Sequence, residues 1–304
     1  MIFPQVILSE GSKTNDRIVA RCSFRVKKFS SVFMSLMYLQ CFIFMLYPNI
    51  YWNLYRESIL YTKNNLYLVN WQRKISIEYL GGRKVVIKKN KTTKVFHEYL
   101  LIFTYTLASI LLAHPSAPPH LGKVMLENEG YDMRRKLQNL GIPTPELISI
   151  SDSVIIEEYI QQGDLYRAFS DGKNSTLAFQ AGVLTGKLHK ANYVFTDNKS
   201  QNYLVASDMS LIRTDLGFIQ KKASIFSRSI DIGSFLASVI DLENSQYQAI
   251  ERAFFYGYKS ETKHSFPYLS IILRNLLSFG FASNHTAMVQ NMVRDSSQTL
   301  WNPR

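Results

Sequence analysis

Strand-forming and helix-forming patterns occupy different parts of this chain, and that separation leaves it few architectures. Leu66-Tyr67-Leu68-Val69 and Ile75-Ser76-Ile77-Glu78-Tyr79-Leu80 read as short strands. Gly81-Gly82 is a tight hairpin signal, and Arg83–Lys89, β-branched at its centre, reads as the returning strand. Leu147–Ile150 and Val154–Glu158 repeat the hairpin pattern. Between them Tyr99 to Ala113 is an apolar run too short to span a bilayer and reads as a core helix, ended by the Pro115 to Pro119 loop. Leu126, Met133, Leu137 and Leu140 then recur at helical spacing, which predicts one helix from about Lys123 to Leu140, closed by Gly141 and Pro143. From Gly163 onward the pattern is mostly helical. Leu177, Ala181, Leu184 and Leu188 form one face of a helix ending near Ala191, followed by two short strands, Tyr203 to Ala206 and Leu211 to Thr214. Strand-rich 61–160 and helix-rich 161–304 together predict an α+β chain of two unlike lobes with a cleft between them.

No repeat of solenoid length is visible. Apolar residues are 46% and charged residues 19%, which excludes a disordered or low-complexity chain. The net charge of +12 favours anionic partners (nucleotide phosphates, nucleic acid or acidic lipid) without choosing among them. Cys22 and Cys41 make neither a disulfide framework nor a metal-ligand spacing, so a reducing compartment is expected.

The N-terminal extension, 1–60, holds 27 residues without formal charge, from Phe29 to Tyr55. By length this is a membrane-helix candidate. The preceding Lys13, Arg17, Arg21, Arg25, Lys27 and Lys28 would hold the N-terminus in the cytoplasm. A single span would then place the rest of the chain outside, which conflicts with the nucleotide chemistry below. Three readings stay open: a membrane-associated helix, a helix packed on the domain, or an upstream extension with Met34 or Met37 as the true start. The flanks do not fit a signal peptide. The expected location is cytoplasmic, with membrane association through 29–55 left open.

The chemistry concentrates in two short stretches. Asp197-Asn198-Lys199-Ser200-Gln201-Asn202 places a carboxylate, an ammonium and an amide on one tight loop. Asp215-Leu216-Gly217 adds a carboxylate followed by a flexible turn. Phosphoryl transfer needs those parts: a carboxylate to orient a hydroxyl, a cation for the transferred group, oxygen ligands for Mg²⁺, and a Lys for the remaining phosphates.

These residues resemble the protein-kinase family. Asp197–Asn202 is similar to the catalytic loop D-L-K-P-E-N, Asp215-Leu216-Gly217 to D-F-G, and Val85-Val86-Ile87-Lys88 to V-A-I-K, in the same order. Leu188-His189 before the loop, and Gly141-Ile142-Pro143-Thr144-Pro145 after a Glu-bearing helix, resemble the atypical Bud32/RIO-like lineage. The resemblance covers roughly 61–245. It implies a bilobed fold with a small antiparallel-sheet N-lobe, 61–160, and a helical C-lobe, 161–304. It implies that Asp197 orients the acceptor hydroxyl, that Lys199 stabilises the transferred charge, and that Asn202 and Asp215 hold Mg²⁺ or Mn²⁺. Lys88 would grip the ATP phosphates; Lys89 competes with it, and the V-x-I-K phasing favours Lys88. Its ion-pair partner would be Glu129, with Glu127 the other candidate. Glu158 and Ile160, in Glu157-Glu158-Tyr159-Ile160, would bind adenine through the backbone. Asp231 would brace the catalytic loop, and His189 would be a packed helix-end residue rather than a base.

Several features depart from the family. No Gly-rich loop precedes Lys88, so Asn70-Trp71-Gln72-Arg73-Lys74 would have to cover the phosphates. Phe195-Thr196 stands where the family has H-R. Fifteen residues separate Asp215 from Asp231, with no A-P-E, too few for a peptide-docking activation segment. The expected activity is ATP-dependent transfer to an unknown hydroxyl, first a Ser/Thr of a protein. The alternatives are a small-molecule or lipopolysaccharide-type sugar kinase, or a pseudokinase binding module. The charge alone leaves a nucleic-acid partner open, although no recognised motif accompanies it.

Overall fold

The computed structural model describes residues 73–90, 95–120, 122–172, 175–263, 267–281 and 284–293, all within the compact unit Tyr67–Arg304. The expected strand at 66–69, the phosphate-cover residues 70–72 and the apolar segment 29–55 lie outside the described residues. No helix among the described residues is long and apolar enough to cross a membrane.

Strands β1 (Arg73–Leu80) and β2 (Arg83–Asn90) form a hairpin around Gly81 and Gly82, whose φ angles are 57° and 80°. That left-handed pair matches the right-handed strand twist and favours glycine at both positions. Strands β3 (Leu147–Ile150) and β4 (Val154–Glu158) make the second hairpin, and β4 pairs with β2. The sheet is antiparallel in the order β1-β2-β4-β3. Arg73 and Lys74, expected in a turn, instead pair with Asn90 and Lys89 as the start of β1.

Helix α1 (Val95–Leu111) starts four residues before the apolar run predicted. Its Tyr105 meets Phe226 edge-on at 5.1 Å and packs with Leu269 and Leu273. The helix predicted from Lys123 to Leu140 is in fact two, α2 (Lys123–Asn128) and α3 (Tyr131–Asn139). Gly130 is the cause. Its ψ of 179° is extended, and a Cβ there would lie 3.1 Å from the Glu127 carbonyl oxygen. Gly141, at φ 70°, closes α3 as a left-handed cap: its N–H reaches Gln138 and that of Ile142 reaches Leu137.

The C-terminal part is helical. Asp164 caps α4 (Leu165–Ser170) by accepting the Arg167 N–H at 2.9 Å. Then follow α5 (Ser175–Lys190), β5 (Tyr193–Val194), a single 3₁₀ turn at Ser200–Asn202, β6 (Tyr203–Val205), β7 (Leu211–Arg213) and β8 (Gln220–Lys221). Helices α6 (Ile225–Ala237), α7 (Asn244–Glu261), α8 (Pro267–Phe281) and α9 (His285–Val293) complete it. β5 pairs with β8 and β6 with β7. Leu177, Ala181, Leu184 and Leu188 all enter the main core, as their spacing predicts, against Phe235, Phe254 and Tyr258. The α+β class and the small antiparallel sheet followed by a helical part are thus as the sequence implies.

Helices α5 and α7 cross closely enough that glycine is required on both. A Cβ on Gly182 would sit 2.0 Å from the Phe254 carbonyl oxygen, and one on Gly257 2.0 Å from that of Phe179. Both obstacles are backbone, so relief means moving a helix. Gly257→Ala should therefore lower unfolding free energy by about 3 kcal/mol, at the upper end of overpacking costs. Urea unfolding measures it, and a loss under about 0.5 kcal/mol would mean the crossing is looser than this.

Candidate functional site

The loop from α5 to β6 is anchored from below. The buried Asp231 carboxylate on α6 accepts the N–H groups of Phe195 (2.7 Å) and Thr196 (2.6 Å). Its Oδ2 also meets His189 Nε2 at 3.0 Å, and His189 Nδ1 lies 2.9 Å from the Tyr258 hydroxyl. These bonds hold Thr196 at φ 66°, a conformation a β-branched residue adopts only under constraint. Asp231 and His189 are structural, as the resemblance implies. Asn198 is a second anchor. Its amide donates to Thr185 Oγ1 and the Asp231 carbonyl, and its oxygen accepts from Tyr203 at 2.6 Å. Burial pushes the Tyr203 phenol up to about 12, so it remains a donor.

Asp197 emerges from that platform. Lys199 Nζ lies 2.7 Å from its Oδ1, and Asn202 Nδ2 donates to its Oδ2 at 3.2 Å and its carbonyl at 2.8 Å. The buried Arg213 guanidinium donates to the same carbonyl at 2.8 Å and stacks on Phe195, 4.3 Å from the ring centre. Burial alone would push the Asp197 carboxyl up; Lys199, Arg213 and Asn202 outweigh it and hold the group below its ordinary value. Asp197 is therefore a carboxylate at neutral pH.

Lys88 and the D-L-G turn converge on the same place. Strand alternation buries Lys88 and exposes Lys89. Lys88 Nζ donates to Thr214 Oγ1 at 2.8 Å, and the Thr214 N–H donates to the Asn202 carbonyl at 3.0 Å. Direct contacts thus run from Lys88 through Thr214 and Asn202 to Asp197 and Lys199. Asp215 follows Thr214 in a left-handed conformation, φ 58°.

The ion pair on Lys88 is made by Glu157, at 2.5 Å, rather than by the expected Glu129. The break at Gly130 explains the difference. Glu129 ends α2 and directs Oε1 at the N–H groups of Leu216 (3.0 Å) and Gly217 (3.2 Å), while Asn128 donates to the Gly217 and Ile219 carbonyls. Arg134 ties the two acids together, its Nη2 lying 2.9 Å from Glu157 and 3.5 Å from Glu129. Glu127 is on the solvent side, 3.7 Å from Lys123.

Glu158 closes β4. Its N–H bonds to the Glu146 carbonyl at 2.9 Å, and its carboxylate accepts the Glu146 N–H and faces Arg83. Ile160 lies half-buried just beyond. The roles of Glu157, Arg134, Asn128, Thr214, Arg213 and Asn198 are not apparent from the motifs. A weak signal existed for two. Glu157 occupies an inward position of β4, and Arg134 lies three residues before the core residue Leu137.

The donor set suits a hard cation. Asp215 offers a carboxylate; both bonds from Asn202 Nδ2 go to Asp197, which commits the nitrogen end of the amide and leaves its oxygen for a metal. Among the described residues no group of three or more His, Cys, Asp or Glu converges as a metal site. A cation here would therefore share its shell with phosphate oxygens and water, as Mg²⁺ commonly does.

No protein-family model matches the chain. Over 126 residues it is 26% identical to the probable bifunctional tRNA threonylcarbamoyladenosine biosynthesis protein of Methanocaldococcus jannaschii, covering 41% of this chain and 23% of that protein. Over 132 residues it is 27% identical to the EKC/KEOPS complex subunit BUD32 of Encephalitozoon cuniculi, covering 43% of this chain and 64% of that one. The matches cover less than two thirds of either relative's length.

Proposed function

We propose that this chain, which belongs to the atypical Bud32/RIO-like lineage of protein-kinase-like proteins, is an ATP-dependent phosphotransferase that moves the γ-phosphate in line to a hydroxyl. The observation that carries the reading is the unbroken contact path from Lys88 through Thr214 and Asn202 to Asp197 and Lys199. ATP with Mg²⁺ would supply the transferable group and the charge neutralisation. Asp197, held ionised, accepts a hydrogen bond from the acceptor hydroxyl and orients it. Lys199 stands beside it to balance charge developing on the transferred group. Lys88 holds the remaining phosphates, and Asn202 and Asp215 offer the metal oxygen ligands. Glu158 and Ile160 supply the backbone edge for the base.

A Ser/Thr hydroxyl of a protein is the acceptor we favour. The two relatives are named for tRNA threonylcarbamoyladenosine biosynthesis and for a subunit of a complex, which supports a role beside an RNA-modifying assembly. A second reading is a binding module without turnover. It is favoured by the lack of a Gly-rich loop before Lys88.

The metal assignment has its own test. Mg²⁺ with ATP should raise the melting temperature of the wild-type chain, and Asp215→Ala should abolish that metal-dependent shift. Equal shifts in both proteins would remove Asp215 from the metal site.

A further inference from the structure

Helix α8 (Pro267–Phe281) is inside out. Its buried side carries Ser270, Arg274 and Ser278 together with Leu269 and Leu273. Its solvent side carries Tyr268, Ile272, Leu276 and Phe279, which are 62%, 45%, 57% and 70% exposed. Among the described residues each of the other helices exposes at most one large apolar side chain. The orientation is fixed by α6 and α7. Gly233 of α6 lies so close to α8 that a Cβ there would sit 2.9 Å from both the Arg274 nitrogen and the Ser270 carbonyl oxygen. Arg274, the one charged residue of the helix, is drawn inward by the Tyr247 hydroxyl at 3.0 Å and the Glu251 carboxylate at 3.4 Å. Turning the helix to bury its apolar side would pull a buried arginine from its acid, so the stripe stays on the surface.

The four residues recur at i, i+4, i+8 and i+11, within an arc of about 80° and a length of about 16 Å. A contiguous apolar stripe without a charge on it marks a contact surface.

We propose that this stripe pairs with the same stripe of a second copy of the chain, the two α8 helices lying antiparallel about a twofold axis near Arg274. The order of the side chains selects a second copy. Read from either end, the stripe runs aromatic, aliphatic, aliphatic, aromatic. An antiparallel copy therefore sets Tyr268 against Phe279 of the partner subunit and Ile272 against Leu276 of the partner subunit, the self-complementarity that an isologous contact requires. The area agrees. At roughly 150–250 Å² per aromatic side chain and less for an aliphatic one, the exposed parts come to about 1,000 Å² over two copies, the lower bound for a specific interface. The charge pattern sets a lipid surface aside. A helix lying in a membrane interface carries Lys and Arg beside its apolar face, and the one cation of α8 is turned inward.

The test is sedimentation velocity of the full chain at about 1–100 μM. Wild type should show a monomer–dimer equilibrium that strengthens as salt rises from about 50 to 500 mM, because screening removes the repulsion between two chains of net charge +12. In Ile272→Gln/Leu276→Gln/Phe279→Gln the dissociation constant should rise on the order of a hundredfold or more. All three residues are exposed and none belongs to the phosphotransfer site, so melting should show the variant folded. Residues 29–55 are a second uncharged stretch, so the difference between the two proteins is the readout. The register has its own check. Leu276→Glu and Ile272→Lys should each abolish pairing alone, and an equimolar mixture should restore it, because the antiparallel arrangement sets the two new charges against each other. Wild type that stays monomeric at every concentration would overturn the proposal. Equal association by wild type and the triple variant would do the same, as would a mixture that stays monomeric. Monomeric wild type that sediments with phosphatidylcholine vesicles, where the triple variant does not, would also overturn it and make the stripe a lipid contact.

Discussion

Asp197→Ala should cut phosphate transfer by on the order of a hundredfold or more while leaving ATP affinity nearly unchanged. The reasoning follows from where Asp197 stands. Its carboxylate is held by Lys199 and Asn202, while the contact to Lys88, the residue proposed to grip the phosphates, runs through Thr214. A group that meets only the reacting hydroxyl acts on the transition state and contributes little to ground-state nucleotide binding. Removing it also takes from Lys199 its 2.7 Å carboxylate partner. Lys88→Ala should behave differently and weaken affinity and transfer together. The measurement is transfer from radiolabelled ATP to the chain itself and to a generic protein acceptor, beside nucleotide affinity by calorimetry. Transfer that survives Asp197→Ala undiminished would remove the catalytic assignment. Wild type that binds ATP yet transfers to nothing, with Mg²⁺ or Mn²⁺, would select the binding module.

The grouping of Asp197, Lys199 and Asn202 was legible in the sequence because it is local. Asp197, Lys199 and Asn202 lie within one turn of chain, and spacing alone keeps them together. The hairpin around Gly81-Gly82 and the apolar face of α5 were legible for the same reason. What the sequence concealed is non-local. Glu129 and Glu127 were the expected partners of Lys88, yet Glu157 on β4 is the acid that reaches it, and the backbone turns extended at Gly130, directly after Glu129. The pattern of Leu126, Met133 and Leu137 continues across that break, since helical periodicity counts side chains and does not register one ψ angle. Arg134 was hidden for a related reason. A helical arginine is ordinarily on the solvent face, and four acceptors on Glu129, Pro145 and Glu157 are what draw this one inward.

Arg134→Met should be the most destabilising single substitution around the site, costing about 3–5 kcal/mol, the range for breaking a buried charge network on one side. Arg134 Nε and Nη1 satisfy the carbonyls of Glu129 and Pro145, and Nη2 satisfies both acids. Methionine fills similar volume but gives none of these bonds. Glu157 would keep Lys88 and Thr214, and Glu129 would keep the turn N–H groups. Two buried carboxylates would then face each other with one cation fewer. Arg134→Lys should recover only part of the loss, because an ammonium cannot reach four acceptors with the geometry of a planar fork. Lys88→Met is the contrast. Glu157 retains Arg134 there, so stability should fall less while nucleotide affinity falls more. Urea unfolding of the three variants beside wild type decides the matter. A cost below about 1 kcal/mol for Arg134→Met, or full recovery by Arg134→Lys, would mean that the guanidinium is not the tie. The ranking also has a consequence for activity. Glu129 steadies the backbone of Leu216 and Gly217, directly after Asp215, so loosening Arg134 should degrade the metal-dependent melting shift even in protein that remains folded.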